Sequence, residues 1–313
     1  MPIFGDKFKL TLIGNAVTCV TLDTQYIIPG EKVTVTINNS SGKNSAYLKV
    51  NGKLEFNTSF GVKEDSEIDV VFADITLSGV CGNNVKYKVF DTGSMDVVYI
   101  YGVGSMYNYA SPTNSTYSNI APWYRDTEKN GRYIEYVYID DGVSSVGNHA
   151  FNFITYNAID VRLPESITAI GENAFYSAYV RGIFKVPSKM TTLYFGGLRA
   201  DAIIVGKNIT KISESLNKQP SDIFFLGTYE EWENIANYNL LSGKMHFCSS
   251  AQDIFKISVV NCKNGNVSLS CGNDAYLVKG EKFTISTNPA MGYKVKYVLV
   301  NGEQIDETEI TVT

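Results

Sequence analysis

Histidine is nearly absent from this chain: His149 and His246 are its two copies in 313 residues. That leaves little scope for a Ser/His or Cys/His nucleophilic pair or for a histidine-rich metal site. No G-x-S-x-G elbow, CxxC pair, HExxH or calcium-loop pattern occurs, so neither a metal nor another cofactor is expected. Positive charge is in deficit too. Lys and Arg number 27 against 32 Asp and Glu, a formal net charge of −5 and a pI near 5.2, so no global field draws phosphate backbones or anionic lipid. Nucleic acid and membrane insertion are therefore not expected among its partners. Nor does any apolar run approach the roughly 18 residues a spanning helix needs. The opening MPIFGDKFKLTLIG lacks a basic segment followed by a long apolar stretch, and predicts a first strand rather than an export signal. Five cysteines are an odd, scattered set. Cys262 and Cys271 can be weighed as a pair, but the Asn264-Gly265 turn should set Val267 roughly opposite Cys262. Free, mostly buried thiols are expected.

What is present is ordinary in bulk and unusual in arrangement. Hydrophobic residues make up 44% and charged residues 19%, a folded composition with room for two or three domains. Tyrosine, at 21, is the one excess.

The first signal is a duplication. IIPGEKVTVTI (Ile27 to Ile37) returns as LVKGEKFTIST (Leu277 to Thr287), and LKVNGK (Leu48 to Lys53) as VLVNGE (Val298 to Glu303). Gly30 and Gly280, Val33 and Phe283, Asn51 and Asn301, and Phe60 and Ile310 are all 250 positions apart, as are Val17 and Val267. Each copy alternates apolar and polar residues, the period of an antiparallel sheet with one face inward. Gly-Glu-Lys and Asn-Gly fall where tight turns are needed. Two small β-sandwiches of immunoglobulin-like shape are the expectation. The first continues through DSEIDVVF (Asp65 to Phe72), a final strand; the second stops at Thr313, the equivalent of Lys63. An unpaired edge follows, filled either by a longer natural chain or by a strand from another chain.

The second signal lies between the copies. Val146-Gly-Asn-His-Ala150-Phe151 is echoed 24 residues later by Ile170-Gly-Glu-Asn-Ala174-Phe175, and Val137-Tyr-Ile139 by Val161-Arg-Leu163. Weaker copies place strands at Phe184-Lys-Val186, Ile203-Ile-Val205 and Phe224-Phe-Leu226. From Ile139 the spacings are 24, 23, 19 and 21, leucine-rich-repeat lengths. Thr228 with Glu231 makes a capping box for a short helix whose inward face carries Trp232 and Ile235.

In this region the sequence resembles the BspA-like leucine-rich repeats common in bacterial surface proteins, from about Leu77 to Cys248. SGVCGNNVKYKVFDTGSM (Ser78 to Met95), IYGVGSMYNY (Ile100 to Tyr109) and APWY (Ala121 to Tyr124) resemble that family's N-terminal cap; FFLGTYEEWENI (Phe224 to Ile235) resembles its closing coil. The third and fourth repeats lack the Gly-x-x-Ala-Phe core, so the solenoid is short and irregular. The expected fold is mainly β, a short leucine-rich-repeat solenoid between two β-sandwich domains. Residues 1–74 form the first sandwich, 75–250 the capped solenoid and 251–313 the second sandwich, lacking its last strand. A solenoid end needs a lid, and Tyr99, Tyr101, Met106, Tyr107, Trp123 and Tyr124 supply apolar area for one.

Isolated chemical hints have plainer readings. His149 occupies the position of Asn173 in the next repeat, so it reads as a coil residue. Asp140-Asp141-Gly142 reads as a solvated turn, and Met245-His246-Phe247-Cys248 as a half-buried strand. A recognition surface remains. With Val137, Ile139, Val161, Leu163, Phe184, Val186, Ile203 and Val205 inward, the outward residues include Tyr136, Tyr138, Asp160, Arg162, Ile183, Lys185, Ile204, Ile223 and Phe225. Tyr136, Tyr138, Asp160, Arg162, Lys185, Ile204 and Phe225 form the candidate partner-binding face, Tyr and Arg being the side chains that dominate interface hot spots. The alternative is an ordinary exposed sheet, or one covered by a neighbouring domain. The resemblance implies a non-catalytic adhesion or attachment protein on a bacterial surface, binding protein or glycan. A Met start without an export signal suits instead a phage tail, fibre or head protein that assembles with virion neighbours or with itself. A carbohydrate-active enzyme is the outside reading.

Overall fold

The structure is a computed structural model describing all residues except 1–6, 94–95, 113–118, 125–133, 154–157, 196, 214–218, 261 and 307. Ser94 and Met95 of the cap-like motif lie outside the described residues. The chain is mainly β, with 48% strand and 6% helix in several sheets. It divides into two compact units, Met1–Tyr179 with Gly196–Leu198, and Val180–Phe195 with Arg199–Thr313.

In the first unit the strand order is Tyr26–Ile27, Phe8–Leu12, Ser66–Val80, Val85–Asp91, Asp96–Gly102, Ile134–Ile139, Ala158–Arg162. Pairing changes character along it. Antiparallel ladders join Ser66–Val80, Val85–Asp91 and Asp96–Gly102, and from there on the strands are parallel. In the parallel part Tyr136 lies beside Asp160, Val137 beside Val161 and Tyr138 beside Arg162. A second parallel ladder sets Ser145 beside Ala169 and Val146 beside Ile170. Both ladders advance by the 24 residues of the sequence period.

The repeated Gly-x-x-Ala-Phe segment explains that register. A Cβ on Gly147 would lie 1.8 Å from the Tyr107 carbonyl oxygen, and one on Gly171 would lie 2.5 Å from the Asn148 nitrogen. Only glycine lets successive turns approach so closely. Ala150 and Ala174 are buried, and Phe151 stacks on Phe175 at 5.3 Å and 15°. Trp123 extends the stack, 5.3 Å from Phe151, and donates its indole N–H to the Ala150 carbonyl at 2.8 Å. Each ring is fully buried, a contribution of roughly 1.5–3 kcal/mol per side chain. His149 and Asn173 adopt left-handed φ of 52° and 49°, and Phe153 and Ser177 of 54° and 65°. The same turn geometry thus recurs at the same spacing. Of the proposed lid residues Tyr107 is exposed, while Tyr99 and Tyr101 join a different cluster, described below.

In the second unit the order is Tyr179–Lys185, Arg199–Val205, Asp222–Phe225, Lys244–Phe247, and Asp222–Phe225 pairs in parallel with the strand on each side of it. The helix Tyr229–Glu233 follows, with Thr228 and Glu231 capping each other and Trp232 and Ile235 buried.

The two copies of the duplicated segment pair their strands alike. Val33 faces Phe60 and Phe283 faces Ile310. Leu48–Glu55 and Val50–Lys53 correspond to Val298–Ile305 and Val300–Glu303. Asn51-Gly52 and Asn301-Gly302 both turn with positive φ, 49° and 76° against 51° and 86°, the paired left-handed geometry that closes a two-residue hairpin. The equivalence of Val17 with Val267 does not hold. Val17 lies in the short helix Ala16–Cys19, exposed, whereas Val267 pairs with Thr287. The true counterparts before the turn are Phe8 with Phe255, Lys9 with Lys256 and Leu22 with Leu269, an offset of 247. The second copy's turn at 270–275 is three residues longer. Val267 accordingly does not lie opposite Cys262. All five cysteines are free, Cys81 buried and Cys262 exposed.

The copies also differ at the strand Ser66–Val80. In the first, Ser66–Val80 runs between Phe8–Leu12, parallel, and Ser45–Val50, antiparallel. In the second, the matching strands Ile254–Ile257 and Val298–Val300 belong to separate two-stranded sheets. Between them opens a cleft of about 1150 Å³.

Candidate functional site

The face predicted to bind partners is largely occupied from within each unit. In the first unit, Tyr138 is buried against Phe56 of the first copy, ring centroids 5.0 Å apart in T-shaped contact, and against Tyr99 at 5.7 Å. Phe56 stacks flat on Tyr99 at 4.2 Å and 7°. Tyr47, Phe90 and half-buried Tyr136 complete the cluster. Tyr99 donates its hydroxyl to Asp140 Oδ2 at 2.8 Å; burial, then that carboxylate, push its pKa far above the usual phenol value. Asp140 therefore anchors a tyrosine rather than standing in a purely solvated turn. Arg162 is exposed, its guanidinium 4.3 Å from the Tyr138 ring centroid, a cation–π contact of about 0.5–1 kcal/mol at a wet site. Asp160 beside it is half-buried.

In the second unit, Ile204 is buried with Phe224 and with Val278, Ile254 and Tyr276 of the second copy. Lys185 remains exposed. Phe225 is not on this row. It pairs with Val205, while Phe224 pairs with Ile204, so Phe225 lies buried in the core 5.3 Å from Trp232. Ile223 is buried as well, beside Ile203. Counting the last repeat to Leu226 gave a spacing of 21; the ladder advances by 20, and the inward and outward assignments of that strand exchange.

One polar constellation escaped the sequence reading. His246 lies wholly buried on Lys244–Phe247, its Nε2 2.9 Å from Asp222 Oδ1 and its Nδ1 3.1 Å from Glu281 Oε1. Its ring stacks on Phe224 at 4.5 Å. A histidine beside carboxylates is a common acid–base arrangement, but here both ring nitrogens are engaged and no ring atom reaches solvent. The set acts as a tie between two repeat strands and the second copy's turn. The signal was available: an imidazole between Met245 and Phe247 on the inward side of a half-buried strand needs partners.

Among the described residues no group of three or more His, Cys, Asp and Glu is arranged to hold a metal ion. No helix among them is long and apolar enough to cross a membrane, which leaves strand-spanning proteins untouched. No protein-family model, curated protein or solved structure matches the chain.

Proposed function

We propose that the chain is a non-catalytic attachment and structural protein. In this reading residues 75–250 are a short capped leucine-rich-repeat solenoid of BspA-like kind, and residues 1–74 and 251–313 are related β-sandwich modules. The observation that carries it is the 24-residue parallel register, Val137 beside Val161 with Phe151 stacked on Phe175. Such a ladder gives a rigid scaffold on which exposed side chains hold fixed positions. Much of the outward sheet is used to seat the flanking modules, so the surface left for a protein or glycan on a bacterial cell includes Arg162 in one unit and Lys185 in the other.

The test is binding of the purified chain to bacterial cells and to a glycan array, repeated with Arg162→Ala and Lys185→Ala separately. A tenfold or greater loss in either variant is expected. Unchanged binding by both would remove the surface, and turnover of a polysaccharide by the purified chain would remove the non-catalytic reading.

A further inference from the structure

We propose that His246 is a proton-operated latch: as an imidazolium it ties the second copy's Gly280-Glu281 turn to the repeat strands, and on losing its proton it lets that turn go. Its Nε2 lies 2.9 Å from Asp222 Oδ1 and its Nδ1 3.1 Å from Glu281 Oε1, with the side chain wholly buried. A neutral imidazole carries one N–H and one lone pair, so it donates to only one of two carboxylates. The other carboxylate would then face a lone pair at hydrogen-bond distance, with the ring closed to solvent. An imidazolium satisfies both.

The remaining carboxylate oxygens are arranged as those of ionised acids. Asp222 Oδ2 accepts from the Ser221 hydroxyl at 2.6 Å, and Glu281 Oε2 from the Val278 N–H at 2.8 Å. Donors on these oxygens favour the charged form. Imidazole is also the stronger base, with an ordinary value of about 6.5 against about 4 for a carboxyl, so the shared proton belongs on the ring.

Few other titratable groups surround the ring among the described residues. On its own strand, Lys244 sets Nζ 3.8 Å from Glu281 Oε1. The strand Asp222–Phe225 contributes Asp222, and Phe224, whose ring stacks on the imidazole at 4.5 Å and 18°. From the second copy come Glu281, the Cys271 thiol, which feels Lys244 and Glu281, and the Tyr276 phenol, which feels Lys256, Asp201, Asp274 and Asp222. Burial above all raises the thiol and the phenol, so both stay neutral across the imidazole range.

Glu281 is the contact that gives way. Asp222 sits on a strand whose backbone pairs with that of His246, and its side chain is 17% exposed against 30% for Glu281. Once the ring is neutral, Oε1 of Glu281 can turn to water beside exposed Lys244, loosening the turn. The first copy has the same turn without the latch. Glu31 accepts the Ile28 N–H at 3.2 Å, as Glu281 does that of Val278, but it is exposed and among the described residues no histidine joins it. The latch therefore holds where the ring is charged and both acids are ionised. It is lost as pH rises through the titration of the ring, and again in acid as Asp222 and Glu281 take up protons.

The experiment follows residues 1–313 through a pH titration, by NMR of the histidine ring nitrogens and by hydrogen-exchange protection of the amides at 278–281. His149 supplies the other histidine signal. Both nitrogens of His246 should carry protons while the turn is protected. Protection of the Val278 amide should fall tenfold or more in the same step that makes the ring neutral. Glu281→Gln is the discriminating variant. Its amide oxygen can take the Val278 N–H while its amide nitrogen donates to Nδ1 of a neutral ring, so its protection should not follow the titration of the ring. A ring with a single N–H in the protected turn, protection unchanged when the ring loses its proton, or Glu281→Gln tracking the parent's pH course would each overturn the latch. The ring measurement needs no variant, so it decides even where Glu281→Gln fails to fold.

Discussion

Alanine at Gly147 should be among the more damaging small substitutions in the first unit, and the size of the effect follows from the coil spacing. The added Cβ would lie 1.8 Å from the Tyr107 carbonyl oxygen and 2.6 Å from its carbon. Restoring ordinary van der Waals distance requires the two turns to separate by more than an ångström. Three hydrogen bonds cross that gap: Met106 N–H to Ser145 O at 3.2 Å, Tyr109 N–H to Asn148 O at 2.9 Å, and Asn148 N–H to Asn108 Oδ1 at 2.9 Å. At roughly 1 kcal/mol net for each bond, the expected loss is about 3 kcal/mol. For a unit of this size that lowers Tm by about 6–12 °C. Gly171→Ala, against the Asn148 nitrogen at 2.5 Å, should cost about 2 kcal/mol by the same reasoning. Gly206→Ala is the control: no atom lies within 4 Å of its added Cβ, so its effect should stay within about 0.5 kcal/mol. Urea unfolding midpoints at a common slope measure all three. Gly147→Ala indistinguishable from the parent, or Gly206→Ala the worst of the set, would refute the reasoning.

Other expectations follow from buried groups. His246→Leu leaves Asp222 and Glu281 without their shared partner and should cost about 1–3 kcal/mol, read from the same urea transitions; a neutral result would show the tie to be idle. Burial pushes the Cys81 thiol up to about 12, so thiol-specific reagents should modify exposed Cys262 first and Cys81 only on unfolding; early labelling of Cys81 counts against its packing. Burial raises the Tyr47 phenol to about 12 and pushes Tyr99 and Tyr109 up as well. Their stabilisation is complete below the ordinary phenol value of about 10 and is lost as pH rises through the raised values. A pH titration of tyrosinate absorbance should therefore show a late cooperative step coinciding with loss of fold, and smooth ionisation of every tyrosine would contradict it.

The sequence was most legible where one residue type has a single physical use. Gly147 and Gly171, Ala150 and Ala174, and Phe151 and Phe175 repeat because close turns, a small core slot and a ring stack each admit little else, and the parallel register follows their spacing. The Asn-Gly turns were readable for the same reason. Legibility failed where that constraint lapses. Ile223, Phe224 and Phe225 are all buried, so alternation carries no information there and a one-residue miscount moved Phe225 to the wrong side. The spacing shared by Val17 and Val267 was accidental, because a three-residue insertion in a turn leaves no mark on strand periodicity. The candidate face was drawn from alternation alone. Which residues of a sheet face another module depends on long-range packing, and Phe56 against Tyr138 has no local signature. His246, Asp222 and Glu281 were missed because they meet across 24 and 35 positions.

Consecutive turns lie side by side at a 24-residue advance, and the proposed scaffold depends on that placement. Nuclear Overhauser contacts between labelled Phe151 and Phe175 rings, and between Val137 and Val161 methyls, measure that directly. Strong cross-peaks are expected for both pairs, with the rings stacked at 5.3 Å. Cross-peaks from Phe151 to residues outside this advance, with none to Phe175, would contradict it.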